Sequence, residues 1–162
     1  MRFKKIKIRN AKPRDIKKII ELEKILANYH HRLDPLYYRS GTQLSLVEIE
    51  RYLRRQLKKN NVVMLVAKKD NEVIGYFEGQ INKRDPLLIP QRTGYLSSAV
   101  IKHRYRKLGL GRMMFERMEE WMKRRKIEYL ELTVNSNNKK GIRTWKNLRF
   151  REFMKGMRKP ML

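Results

Sequence analysis

An antiparallel hairpin in the middle of the chain limits what it can fold into. Val62-Val-Met-Leu-Val-Ala67 is a near-continuous β-prone run. Asp70-Asn71 supplies turn residues, and Val73-Ile-Gly-Tyr-Phe-Glu-Gly-Gln-Ile81 returns as the partner strand. Helical spacing flanks the hairpin on both sides. Before it, Ile16, Ile19, Ile20, Leu22, Ile25 and Leu26 recur at helical intervals, with Pro13 near the first helical position. Ser45 opens a second helix with Glu48 as its capping-box partner, and Leu46, Ile49, Leu53 and Leu57 give its apolar stripe. After the hairpin, Met113, Met114, Met118, Trp121 and Met122 read as the inward face of a long helix. That stripe is core packing, not a metal or cofactor site, and no metal site is expected.

Further strands are expected at Ile6 and Ile8, at 95–101, at 129–134 and at 150–157, with irregular segments at 30–41 and 82–93. The order is β, α, α, β, β, β, α, β, α, β. No repeat, linker or composition shift divides it, so residues 1–162 read as one α/β domain with a mostly antiparallel first half.

Composition bounds the function. Hydrophobic residues make up 41% of the chain, enough for a core, and the absence of cysteine excludes a disulfide framework, a Cys-based zinc site and a cysteine nucleophile. No run approaches the length of a membrane span, and the alternation from Met1 through Ile8 does not resemble a signal peptide. A soluble cytoplasmic protein is expected, monomeric or homodimeric, with no membrane partner. The 41 Lys and Arg against 16 Asp and Glu give a net charge of +25, spread from residue 2 to residue 159. Dispersal favours a solvated basic surface over a dedicated nucleic-acid face, with weak, salt-sensitive nucleic-acid or ribosome association.

The chemistry concentrates at Val100-Ile-Lys-His-Arg-Tyr-Arg106-Lys-Leu-Gly109-Leu-Gly111-Arg112. A strand ends here, and a loop with two glycines opens a helix. Glycines let backbone N–H groups approach a ligand, and the helix N-terminus adds partial positive charge, an arrangement suited to a pyrophosphate. A P-loop is excluded by the lack of Gly-Lys-Ser/Thr, and the dinucleotide fingerprint by Met114 in place of its third glycine.

Arg106-x-x-Gly109-x-Gly111 resembles the Arg/Gln-x-x-Gly-x-Gly/Ala signature of the GNAT N-acetyltransferase superfamily. Asn135-Ser-Asn-Asn138, followed by Ile142, Trp145, Leu148 and Phe150, resembles its Asn-rich cap, helix and closing Leu-Gly-Phe. The resemblance runs from Ile6 to about Met157. It implies a mixed, mostly antiparallel sheet of six or seven strands with about four helices, splayed centrally to take acetyl-CoA. It further implies that Val100, Ile101 and Lys102 pair with the pantetheine arm. The pyrophosphate would rest on Arg106, Lys107, Leu108, Gly109, Leu110, Gly111 and Arg112, and Asn138 would contact the cofactor.

Acetyl transfer to a primary amine (a protein N-terminus, a lysine or a small molecule) requires loss of the ammonium proton, close approach, oxyanion donors and a protonated leaving thiolate. The resemblance assigns the oxyanion donors to the backbone around Ile101. Trp145 stands where many relatives carry a tyrosine acid, and Thr133 where many carry a glutamate base. Glu131, on the same face as Thr133, and Tyr95, on the strand before the loop with Ser97, are the substitute catalytic candidates. Tyr37 and Tyr38 lie in the loop expected to cover the acceptor site, and Glu78 and Gln80 either line that pocket or form a polar outer face. His30 and His31 read as complements to a helix dipole. The altered acid and base positions leave a catalytically reduced acetyl-CoA-binding regulator as an alternative, and the charge leaves an RNA- or ribosome-associated basic protein as another.

Overall fold

The computed structural model describes residues 6–161. Met1 to Lys5, the start of the alternating N-terminal segment, lie outside them. Strand β1 (Ile6–Asn10) leads through a 3-10 turn into α1 (Ile16–Leu33), α2 (Leu46–Gln56), β2 (Val62–Lys69), β3 (Glu72–Lys83) and β4 (Arg92–Ile101). Helix α3 (Leu110–Lys123), β5 (Leu130–Glu131) and α4 (Lys139–Asn147) complete the order. The sheet runs β1-β2-β3-β4-β5, antiparallel except for the parallel β4–β5 pair. No helix among the described residues is long and apolar enough to cross a membrane.

Both faces of the sheet are covered, which explains why β2 reads as continuous apolar sequence. Val63, Leu65 and Ala67 face α3, while Met64 and Val66 face α1 and α2. On the α3 side, Met114, Met118 and Met122 recur one turn apart. They sit against Gly75 and Gly79 of β3 and Gly94 of β4: a methyl added at Gly79 would meet the Met118 sulfur at 2.8 Å, and one at Gly94 would meet that of Met122 at 2.9 Å. The glycines thus let the helix lie close to the sheet. Met113 points outward instead of inward, and Trp121 is only half-buried.

Helix α1 opens on Ile16 after Asp15, whose carboxylate accepts the Lys12 amide and pairs with Arg9 at 2.7 Å. Burial alone would raise Asp15; its bonds to Arg9 and Lys12 outweigh that and hold the carboxyl below its ordinary value. The helix continues through His30 to Leu33, beyond the expected break, and stops at Asp34-Pro35. Ser45 Oγ accepts the Glu48 amide, the expected cap of α2.

Among the described residues the sheet has five strands, not the six or seven expected. The run at 129–134 pairs only through Leu130 and Glu131, and residues 150–157 form no strand. Gly79 pairs with Leu96 but Glu78 with Ser98, so Ser97 is an extra residue that bends the strand. β4 pairs with β5 only before that bend, at Gly94 and Tyr95.

The seat of α3 is testable by unfolding. Met118→Ala should cost about 2–5 kcal/mol, because this side chain is fully buried. Gly79→Ala should destabilise the native protein yet recover stability in the Met118→Ala background, where the added methyl fills vacated space. Urea unfolding of the four proteins measures this coupling, and simple additivity would refute it.

Candidate functional site

The site begins where β4 and β5 part. Their pairing is limited to Gly94 with Leu130 and Tyr95 with Glu131. The Lys102 amide donates to Ile74 of β3 at 2.9 Å. Strand alternation therefore turns the Ile101 and Ala99 amides the other way, toward the gap. The Ile101 carbonyl accepts Arg106 Nε at 2.8 Å, so Arg106 ties the loop to the strand end. The Lys102 amide serves the sheet, and its ammonium pairs with Glu72 at 2.7 Å.

Glu72 gathers Lys102, Arg104 and the Tyr105 hydroxyl, fastening the strand end and the following 3-10 turn to β3. The Lys102 bond leads the interactions that hold its carboxyl down to about 2. The chain then turns through two left-handed positions, Lys107 at φ +61° and Gly109 at φ +82°. The first amide of α3 bonded to a carbonyl of its own turn is Met113, to Gly109 at 3.1 Å. The amides of Leu110, Gly111 and Arg112 remain as donors at the helix N-terminus, with Leu108 exposed beside them. The segment therefore presents unpaired amides and a left-handed turn at the start of α3.

Asn138 is placed differently. Its Oδ1 caps α4 by accepting the Gly141 amide at 2.8 Å and also accepts the Tyr29 hydroxyl at 2.6 Å. It holds α4 to α1, leaving only its Nδ2 for other partners. Tyr95 donates to Thr133 Oγ1 at 3.1 Å across the opening of the gap. Glu131 is bound by Arg84 and does not line the adjoining cavity. Trp145 packs edge-on against Phe150, centroids 5.8 Å apart, and is partly buried against the core cluster that includes α3.

On the other face of β4, α1, α2 and their connecting loop border an open cavity of about 340 Å3. Its wall includes Ser97 and Ser98 at the bulge, Glu23 from α1, Tyr52 from α2, and His30 and Tyr38. Glu78 lies behind Ser97, 1% exposed, so the outer-face possibility does not hold. Tyr52 and Ser97 donate to its Oε1 at 2.6 and 3.1 Å, and Tyr76 donates to Oε2 at 2.5 Å. Burial pushes the Glu23 carboxyl up to about 7, the neighbouring Glu78 charge adds to the rise, and the Ser98 hydroxyl opposes it. Burial holds His30 below the usual histidine value.

Tyr38 is half-buried in this wall, its ring 4.9 Å from His30, whereas Tyr37 is 66% exposed under Arg158. His31 Nδ1 donates to the Tyr38 carbonyl at 2.7 Å, which fixes the loop. The sequence reading missed Glu23, Tyr52 and Tyr76. The signal for Glu23 was its place in the stripe of Ile16, Ile19, Ile20 and Leu26, where a charge is out of pattern.

The family model described as Acetyltransferase (GNAT) family matches residues 22–150. No curated protein matches the sequence. Among solved structures, a mutant of the BH1408 protein of Bacillus halodurans is 20% identical, with TM-score 0.84 over 96% of this chain and 99% of that one. A predicted acetyltransferase with acetyl-CoA from Clostridium acetobutylicum is 19% identical, with TM-score 0.75 over 96% of each chain. An aminoglycoside 6'-N-acetyltransferase of Acinetobacter haemolyticus is 17% identical, with TM-score 0.75 over 96% of this chain and 98% of that one. At these identities the structures establish a shared fold.

Two measurements check the electrostatics. Glu72 is depressed, so its contribution is complete above the ordinary carboxylate range and is lost as pH falls toward about 2. At neutral pH, Glu72→Gln should speed hydrogen exchange at Lys102 to Arg106 and leave the centre of α3 unchanged. Glu23 is raised, so the native protein loses stability as pH rises from the ordinary carboxylate range to about 7. Glu23→Gln should therefore raise the thermal midpoint at about pH 8 and lose that advantage near pH 4. An equal effect at both pH values would refute the buried-charge account.

Proposed function

The chain belongs to the GNAT acetyltransferase family, and from that premise we propose that it transfers the acetyl group of acetyl-CoA to a primary amine. One observation supports the reading above the rest: β4 borders both a gap lined with free amides and an acidic cavity. An anionic cofactor in the gap and an amine in the cavity would meet across the bulge at Ser97 and Ser98. The residues present suit acetyl-CoA. The amides of Leu110, Gly111 and Arg112 offer donors to a pyrophosphate, with Lys107 and Arg112 adding charge. The Ile101 amide offers an edge for the pantetheine arm or a donor for the oxyanion.

Acetyl-CoA brings the activated thioester carbonyl. The protein aligns the amine, removes its proton and stabilises the oxygen that gains charge. Tyr95, whose hydroxyl meets Thr133 across the gap, is the proposed proton donor to a departing thiolate, because the indole of Trp145 does not give up a proton near neutrality. Thr133 and Trp145 are also the features that favour the second reading, an acetyl-CoA-binding regulator without turnover. A panel of primary amines with free-thiol detection separates the two.

Binding is tested first. Gly109→Val forces a branched side chain into φ +82° and should abolish acetyl-CoA binding by calorimetry in a folded protein. Arg106→Ala removes a charge-assisted bond of about 1.5–3 kcal/mol to Ile101 but leaves the amides, so it should weaken binding without abolishing it. Wild-type affinity in Gly109→Val would remove the cradle from the proposal.

A further inference from the structure

We propose that Glu23 takes the proton of the acceptor, that Glu78 is the fixed charge drawing a cation into the cavity, and that the acceptor is a primary alkylammonium with a short apolar stem. This rests on the reading of the chain as an amine acetyltransferase and names the substrate class and the base of that site.

The argument starts from pairing. Asp15 is held by Arg9, Glu131 by Arg84, and Glu72 by Lys102 and Arg104. With 41 Lys and Arg in the chain, a basic partner is available almost anywhere. Yet neither Glu23 nor Glu78 forms an ion pair among the described residues. Glu78 is buried and Glu23 is half-buried near it, and two carboxylates brought together at the edge of the core without a cation are costly unless something positive joins them. The cavity admits that cation beside Glu23.

The two acids have different surroundings. Glu78 accepts hydroxyl hydrogens from Tyr52, Tyr76 and Ser97, a bonding pattern that fixes its carboxylate. Glu23 lines the cavity wall, with the Ser98 hydroxyl as its hydrogen-bonding neighbour. The groups around Glu23 are Glu78 and Tyr76 from β3, Tyr52 from α2, His30 from α1, and Tyr38 and Arg39 from the connecting loop. His30 is held toward its neutral form, and Arg39 is exposed at the rim, so neither supplies the missing charge inside. With its carboxyl raised to about 7, Glu23 is poised to exchange a proton near neutrality. Leu26, Leu44, Ile49 and Leu53 form the remaining wall and suit an aliphatic stem.

The step balances as follows. The ammonium R–NH3+ gives one proton to the Glu23 carboxylate, and the nitrogen lone pair forms the N–C bond to the thioester carbonyl. The carbonyl π pair moves to oxygen, then returns as the C–S bond breaks with its electrons on sulfur. A second proton leaves nitrogen and ends on the thiol, and Glu23 later releases its proton to water. The sum is R–NH3+ plus acetyl-S-CoA giving R–NH–acetyl, CoA-SH and H+.

The test uses the full chain, acetyl-CoA and n-alkylamines from propylamine to hexylamine, read by free thiol. Glu23→Gln should lower kcat by about 10²–10⁴-fold while the acetyl-CoA Kd stays within about twofold. Wild-type kcat/KM should rise with pH to an inflection near 7 that is lost in Glu23→Gln and kept in Glu23→Asp. Glu78→Gln should raise the amine KM and move that inflection to lower pH, since a neutral neighbour no longer opposes ionisation of Glu23. The unchanged acetyl-CoA affinity serves as the folding control for each variant. A Glu23→Gln rate within about threefold of wild type, or an unmoved inflection in Glu78→Gln, would overturn the assignments. Acetyl-CoA binding with no alkylamine acetylated would overturn the substrate class and leave the family reading intact. Failure of the wild type to bind acetyl-CoA would instead defeat the reading on which this inference rests.

Discussion

The seating of the Met114–Met118–Met122 stripe on Gly75, Gly79 and Gly94 sets the geometry from which the rest follows. Three long side chains meet three positions without side chains, so α3 is drawn down onto β3 and β4. The helix axis is thereby fixed relative to the strand that precedes it. Its N-terminus arrives beside the end of β4, and Arg106 and Glu72 bind the connection down. The orientation of the free amides is a consequence of core packing as much as of the loop's own conformation. Longer side chains at the glycines would lift the helix and carry its donors away from the strand.

β4 then divides its surroundings. Before the bulge it pairs on both sides and belongs to the sheet. After the bulge, one edge still bonds β3 while the other faces the gap, and the face toward α1 borders the acidic cavity. A single extra residue, Ser97, lies just beyond the last paired position of β4 with β5, and its hydroxyl reaches the buried Glu78. Backbone donors and side-chain acids are thus brought to one short segment from opposite directions. This is how a strand can serve an anionic ligand along its edge and a cationic one across its face.

The parts legible in the sequence were those whose signals are local. Arg106-x-x-Gly109-x-Gly111 between a strand and a helix occupies one continuous segment, and the loop adopts the left-handed turn that Gly109 permits. The Met stripe and the Ser45 cap were equally local. The acidic cavity was not, because Glu23, Tyr52, Tyr76 and Glu78 come from three elements and no short spacing connects them. Glu78 alternates with Phe77 and Gly79 in a strand covered on both faces, so alternation does not say which neighbour is wet. The final strand was overestimated for a different reason. The run from Phe150 has strand-like composition, but a strand also needs a pairing partner, which composition does not supply, and residues 150–157 form none. Likewise Asn138 was matched by motif, while its bond to Tyr29, 109 residues away, depends on tertiary packing.

Charge acts at two ranges in this protein. A net charge of +25 spread over the surface creates a long-range field that draws anions and repels cations, yet in physiological salt it fades within about 8 Å of the surface. The buried Glu78 and the half-buried Glu23 act at short range, where salt screens less than at the open surface. On the proposed reading, the outer field favours the arrival of acetyl-CoA, a polyanion, and Glu23 with Glu78 reverses the sign of the potential where the amine must sit. A multiply charged acceptor would meet the repulsive field over its whole length, while a single ammonium on an apolar stem meets it only in transit. The same basic surface that makes the chain resemble a nucleic-acid binder thus narrows the amines that can profit from the acidic cavity.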